Sequence, residues 1–164
     1  MRESLDLLIS YNHWALEQFF NAIDQIDENT FLKDLGDGVG SVRDKLVHMY
    51  GAEKTWLERL RLEVPAPFTK PDEFTSKQQL KDAWTKLHEA LEAYYRALAD
   101  ADFGKNVTYK NLAGKEFTTP IGLILLHVFN HGTYHRGQAA SLLRRLTGKP
   151  PVTDFIAFVR DTGR

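Results

Sequence analysis

"PIGLILLHVFNHGTYHRGQAASLLRRLTGKP", residues 120–150, is the stretch whose reading decides the fold. Pro120 suits the first turn of a helix, where its missing N–H costs nothing, and the run "GKPP" from Gly148 stops one. Between them Ile121, Leu125, Val128, Gly132, Ala139, Leu143 and Leu146 recur on one face at helical period. The spacing predicts one long helix from Pro120 to about Thr147.

Working outward, three more segments carry the same period. Leu5, Leu8, Ile9, Asn12, Ala15, Leu16, Phe19, Phe20 and Ile23 share one face of a first helix, with Asn12 as the polar intruder. After "DENTFLKDLGDGVG", read as a loop from its Asp and Gly, Ser41 can N-cap a second helix. Its stripe is Val42, Leu46, Met49, Trp56, Leu57 and Leu60, with Glu53 in the middle. The three prolines of "EVPAPFTKPDEF" end that helix. A third runs from about Ser76 with Leu80, Trp84, Leu87, Leu91, Tyr94 and Leu98 inward and His88 toward the flank.

"NVTYKNLAGKEFTT", residues 106–119, alternates β-formers around a Gly-containing turn and predicts a short hairpin before the last long helix. "DFIAFVR" predicts a short amphipathic helix at the C-terminal end. The expected fold is all-α: one domain over residues 1–164, a four-helix bundle with two long connections, a hairpin and a short final helix.

A chain of 164 residues can bury a core without staples. Its 21 basic and 22 acidic residues are interspersed and give a formal net charge of −1, so neither nucleic acid nor an anionic membrane is an expected partner. There is no cysteine, which removes disulfides, thiolate ligands and a protein-borne thiol nucleophile, and fits a reducing cytoplasm. Any metal must be held by nitrogen or oxygen. The N-terminal stretch "MRESLDLLISYNHW" lacks the apolar core of a signal peptide, and no run approaches a membrane span. The expectation is a soluble cytoplasmic protein.

Three of the six histidines, His127, His131 and His135, are spaced four apart on the last long helix. Neighbours at that spacing stand nearly above one another and can converge on one ion, but His127 and His135 are about 12 Å apart along the axis. One metal cannot take all three from a straight helix. Relative to the inward centre, His135 lies at about 40°, His131 at about 80° and His127 at about 120°, which favours the pair His131 and His135. Gly132 on the inward stripe leaves room for an ion or permits close packing. A third ligand must come from another helix, and His13, His48, His88 and the carboxylates are all candidates on geometry alone. His48 stands near the edge of its stripe, one turn before the small Ala52. The plain alternative is that His131 and His135 are hydrogen-bonded core histidines.

The sequence resembles the DinB-like (DinB/YfiT-like) family of damage-inducible four-helix proteins, which is unrelated to the DNA polymerase sharing the name. "YNHWALEQFF" at 11–20, "HMYGAEKTWLERL" at 48–60 and "NHGTYHRGQAASLLRRL" at 130–146 carry the resemblance, which spans nearly the whole chain in order. It implies a divalent metal, zinc or nickel in many members, held by one histidine of the second helix and the H-x₃-H pair of the last. Carried onto this sequence, these are His48, His131 and His135. The family includes thiol-dependent transferases and isomerases beside members with no known reaction.

Three imidazoles leave open positions for water or substrate, the pattern of a catalytic metal site. The expected function is that of a metal-dependent enzyme acting on a small molecule, either a hydrolase or a transferase to a low-molecular-weight thiol that the cysteine-free chain cannot itself supply. The rival is a non-catalytic metal- or ligand-binding stress protein. Asn12 and Glu53 are pocket or supporting candidates, since polar groups on apolar stripes need partners. Glu53 lies about 140° from His48 around its helix, so the two cannot readily share an ion; an ion pair with Arg43 or Arg136 is its plain reading. Arg136 and Gln138 can tie helices together, with Gly137 permitting close approach. Outward Leu123, Leu126 and Phe129 need cover from the hairpin, the tail or another subunit, which makes a homodimer an expectation.

Overall fold

The computed structural model describes residues 1–36, 38–111 and 113–164. Four long helices form the bundle: α1 (Arg2–Asp24), α3 (Val42–Leu60), α4 (Lys77–Ala97) and α5 (Ile121–Thr147). The short elements are α2 (Glu28–Leu32), the antiparallel strands β1 (Asn106–Lys110) and β2 (Glu116–Pro120), and α6 (Phe155–Asp161). α5 packs against α3 and α1, and α4 packs against the same two from the other side. α1 and α3 are therefore diagonal, and a polar group at the centre of either can reach across the core.

Local chemistry sets each boundary. Ser41 and Asp44 form a reciprocal capping box: Asp44 N–H donates to Ser41 Oγ at 3.0 Å, and Ser41 N–H to Asp44 Oδ2 at 2.9 Å. That start places His48 two turns into α3. Ser76 caps α4 through Gln79 N–H. Pro120 sits just before α5 and ends β2, so its role is to hand the strand over to the helix. Gly148, with φ of 74°, closes α5 in the left-handed conformation that glycine tolerates best.

The stretch expected as a loop at 27–40 contains a helix. Asp27 accepts from Thr30 N–H at 2.6 Å and caps α2, and Phe31 is fully buried in the main core. One cap and one buried aromatic are enough to stabilise five residues that carry too little periodicity to be seen. On α4 the buried ring is Tyr95, with Tyr94 half-buried, and His88 is buried, not at the flank. On α5 Phe129 belongs to the main core and Leu126 is half-buried against it, so of the three outward residues only Leu123 stays exposed. Arg59 lies over the rings of Trp56 and Tyr109 and donates to Lys110 C=O at 2.9 Å, pinning the hairpin to α3. No helix among the described residues is long and apolar enough to cross a membrane.

Candidate metal centre

His48 on α3 meets His131 and His135 on α5 where the two helices run side by side. Each offers one ring nitrogen, and these three nitrogens lie within 4.8 Å of one another. Around a tetrahedral ion with bonds of 2.0–2.1 Å, ligand nitrogens stand about 3.4 Å apart, so small rotations of half-buried rings close the set. The ring centroids are 4.4 Å apart for His48 and His135, 4.3 Å for His131 and His135, and 5.6 Å for His48 and His131. His127 stays outside the group and packs edge-on against Trp56 at 5.1 Å.

The donor set fits a divalent ion. Burial, then the neighbouring His135, then Lys45 hold His48 below the ordinary histidine pKa. Burial, followed by the repulsion of His135, His48 and His127, pushes His131 down to about 4, with Glu53 opposing weakly. Both imidazoles are therefore neutral near pH 7, the form that ligates metal. His135 Nδ1–H donates to Gln138 Oε1 at 2.9 Å, which leaves its Nε2 lone pair free. Among the described residues no hydrogen bond engages the rings of His48 or His131.

Two of the three, His48 and His135, line a cleft of about 560 Å³ between α3, α5 and residues 68–71. Phe68 packs on His48 with centroids 5.6 Å apart, and it can do so because Gly51 has no side chain: a Cβ there would stand 3.2 Å from the Phe68 ring.

Beneath the histidines lies a second polar group, almost fully closed. The Glu53 carboxylate, 3% exposed, accepts from Trp84 Nε1 at 2.8 Å, His88 Nε2 at 3.1 Å and Asn12 Nδ2 at 3.4 Å. Burial raises its pKa, but the attraction and hydrogen bond of His88 and the bonds from Trp84 and Asn12 outweigh this and leave it below the ordinary carboxylate value. Asn12 Oδ1 in turn accepts from Arg136, whose other amino group donates to Thr133 Oγ1 at 2.8 Å. Glu53 and Arg136 are thus linked through Asn12 and are not in direct contact, while Arg43 pairs with Asp44.

This assigns the glycines of the motif. A Cβ on Gly132 would meet Arg136 Nη1 at 3.1 Å and Asn12 Oδ1 at 3.2 Å, so its missing side chain makes room for the Asn12–Arg136 bond and not for an ion. Gly137 is exposed with nothing near it, and no close helix approach depends on it. Sequence reasoning missed Trp84 and His88 as partners of Glu53, although their four-residue spacing on α4 was the available signal. It also missed Gln138 as the partner of His135, three residues on.

The model of the DinB family matches residues 1–163. The chain belongs to the DinB family. Protein DinB of Bacillus subtilis (strain 168) is 27% identical over 158 residues, covering 90% of this chain and 89% of that one. Among solved structures, YfiT from Bacillus subtilis, described as a probable metal-dependent hydrolase with an unusual four-helix bundle topology, superposes with a TM-score of 0.70 at 18% identity over 88% of this chain and 89% of its own. A conserved protein from Enterococcus faecalis gives 0.70 at 15% identity, covering 88% and 97%. At these identities the two structures show the shared fold, and the fold of this DinB member is accordingly the four-helix bundle.

Proposed function

We propose that this DinB-family protein is a metal-dependent enzyme acting on a small molecule at His48, His131 and His135. The observation that carries the reading is the convergence of three half-buried imidazoles from two helices, with no fourth His, Asp or Glu in the group among the described residues, beside an open cleft that His48 and His135 line. A divalent ion bound there, zinc or nickel, supplies Lewis acidity for activating water or a small-molecule thiol. The protein's own part is to present the neutral rings of His48 and His131, to fix His135 through Gln138, and to hold α1, α3, α4 and α5 in register through the Glu53 network below. Asn12 and Glu53 therefore support the site and do not ligate.

Hydrolysis needs only water; transfer to a thiol needs an external one, because the chain has no cysteine. The description of YfiT as a probable metal-dependent hydrolase favours the first. The test is a screen of metal-loaded protein against activated esters, amides and alkyl electrophiles, with and without low-molecular-weight thiols. Turnover lost in His131→Ala supports the reading. Bound metal with no turnover leaves a non-catalytic metal-binding protein, and failure to bind zinc or nickel on titration removes the reading altogether. Homodimerisation is proposed on the exposed Leu123, Phe155 and Ile156, and a monomeric mass by light scattering at micromolar concentration overturns it.

A further inference from the structure

The cleft over the histidines carries a charge pattern that metal binding leaves unused. Lys45 stands on α3 one turn before His48, and Lys70 lies on the segment that forms the other wall; both line the cleft. Among the described residues neither ammonium group has a carboxylate within ion-pair distance, although Lys54, Lys81 and Lys105 each do. The one carboxylate on the lining, Asp44, is already engaged: Oδ2 accepts from Ser41 N–H at 2.9 Å and Oδ1 from Arg43 at 3.2 Å. Glu53 lies closed off beneath, with its oxygens taken by three donors.

Among the described residues Lys33, Lys86, Lys110, Lys115 and Lys149 also lack such a carboxylate, so what sets Lys45 and Lys70 apart is that both face the cleft that His48 and His135 line. The hollow between α1 and α4 is ringed by Glu17, Glu89 and Glu92, and the one between α3 and α4 mixes acids with bases. A concave site with two uncompensated ammonium groups focuses its field outward, raises the local concentration of anions and gives them charge-assisted hydrogen bonds once they arrive. A cation on the histidines adds to the same field. Phe68 supplies an apolar wall beside them, which suits a compact organic anion better than a polyanion.

We infer that Lys45 and Lys70 are the substrate anchors of this site, and that the small molecule it takes carries a carboxylate or phosphate group held by these two lysines while its reacting end lies against the histidines. The inference rests on the reading of the cleft as the substrate site, and it names the substrate class.

The test is calorimetric titration of metal-loaded protein, its metal content fixed by elemental analysis, with succinate, inorganic phosphate and the neutral analogue succinamide at low and at physiological ionic strength. Succinate or phosphate is expected to bind about tenfold or more tightly than succinamide and to weaken with salt. Whichever anion is preferred distinguishes a carboxylate substrate from a phosphorylated one. Lys45→Gln and Lys70→Gln are each expected to weaken the anion by about fivefold, with metal stoichiometry and Tm unchanged, and Lys45→Arg to retain it. Equal binding of succinamide, no binding of either anion, or anion binding indifferent to both lysine substitutions overturns the inference. The same titrations on metal-free protein separate it from the metal reading. Lysine-dependent anion binding by a chain that takes up no metal leaves the anchors standing and the metal reading failed, and stoichiometric metal without lysine-dependent binding is the reverse.

Discussion

His131 and His88 are both inward histidines of long bundle helices, yet they end in opposite states. His88 is buried and its ring donates to Glu53, in a network that ties α1, α3, α4 and α5 together. His131 is half-buried, has no hydrogen-bond partner among the described residues, and stands grouped with His48 and His135, which line a cleft. In the first group the Glu53 oxygens are taken up by three donors, so its chemistry is structural. In the second the His48 and His131 rings are neutral and, among the described residues, unpartnered, and His135 keeps its Nε2 free, so its chemistry is available to a ligand. The difference teaches that satisfaction of the side chain, more than its burial, separates a scaffold histidine from a functional one.

The sharpest way to break this comparison is to remove one member of each group. His48→Ala is expected to lower metal affinity about a thousandfold, if a binding energy of roughly 10 kcal/mol or more is shared among three imidazoles, with the metal-free Tm nearly unchanged. Competition with a chromophoric chelator reads this, and unchanged affinity would exclude His48 from the site.

Glu53→Ala is expected to do the opposite. It strands three donors in the core and is expected to cost about 3 kcal/mol of folding stability in urea denaturation, while any folded fraction still binds metal through the three histidines. A stable variant that had lost its metal would make Glu53 a ligand and merge the two groups.

Gln138→Ala is expected to weaken metal binding about tenfold, because His135 loses the acceptor that fixes its ring orientation. No change would mean that packing alone orients His135.

The smallest effect expected is on pH dependence. His13, His48 and His131 all sit below the ordinary histidine pKa in the folded protein, chiefly through burial. The unfolded chain therefore binds more protons below pH 6.5, and metal-free stability falls as pH drops from there through the folded values, about 4 for His131. Glu53, also lowered, acts in a separate window: its contribution is present above the ordinary carboxylate value of about 4.5 and is lost below it. Tm measured across pH 4 to 7 is expected to decline toward acid, and His131→Gln is expected to flatten the part above pH 4.5. A flat wild-type profile contradicts the burial argument.

Much of the fold was legible because bundle helices announce themselves by period. The stripes of α1, α3, α4 and α5, the caps at Ser41 and Ser76 and the hairpin before α5 all follow from local pattern. α2 was not legible, since its stability comes from Phe31 reaching a core that other elements build. Within the motif, helical geometry predicted the inward pair His131 and His135, and the family resemblance named His48. The roles of Gly132, Gln138, Trp84 and Lys45 were hidden, because each depends on what stands opposite.

The sequence by itself determined the helices, their inward faces and the residue types able to hold a metal, because these depend on spacing along one chain. Only the tertiary structure decided which histidines are free and which are used. That outcome depends on partners tens of residues away: Asn12 and His88 closing over Glu53, and Phe68 and Lys70 walling the cleft above His48.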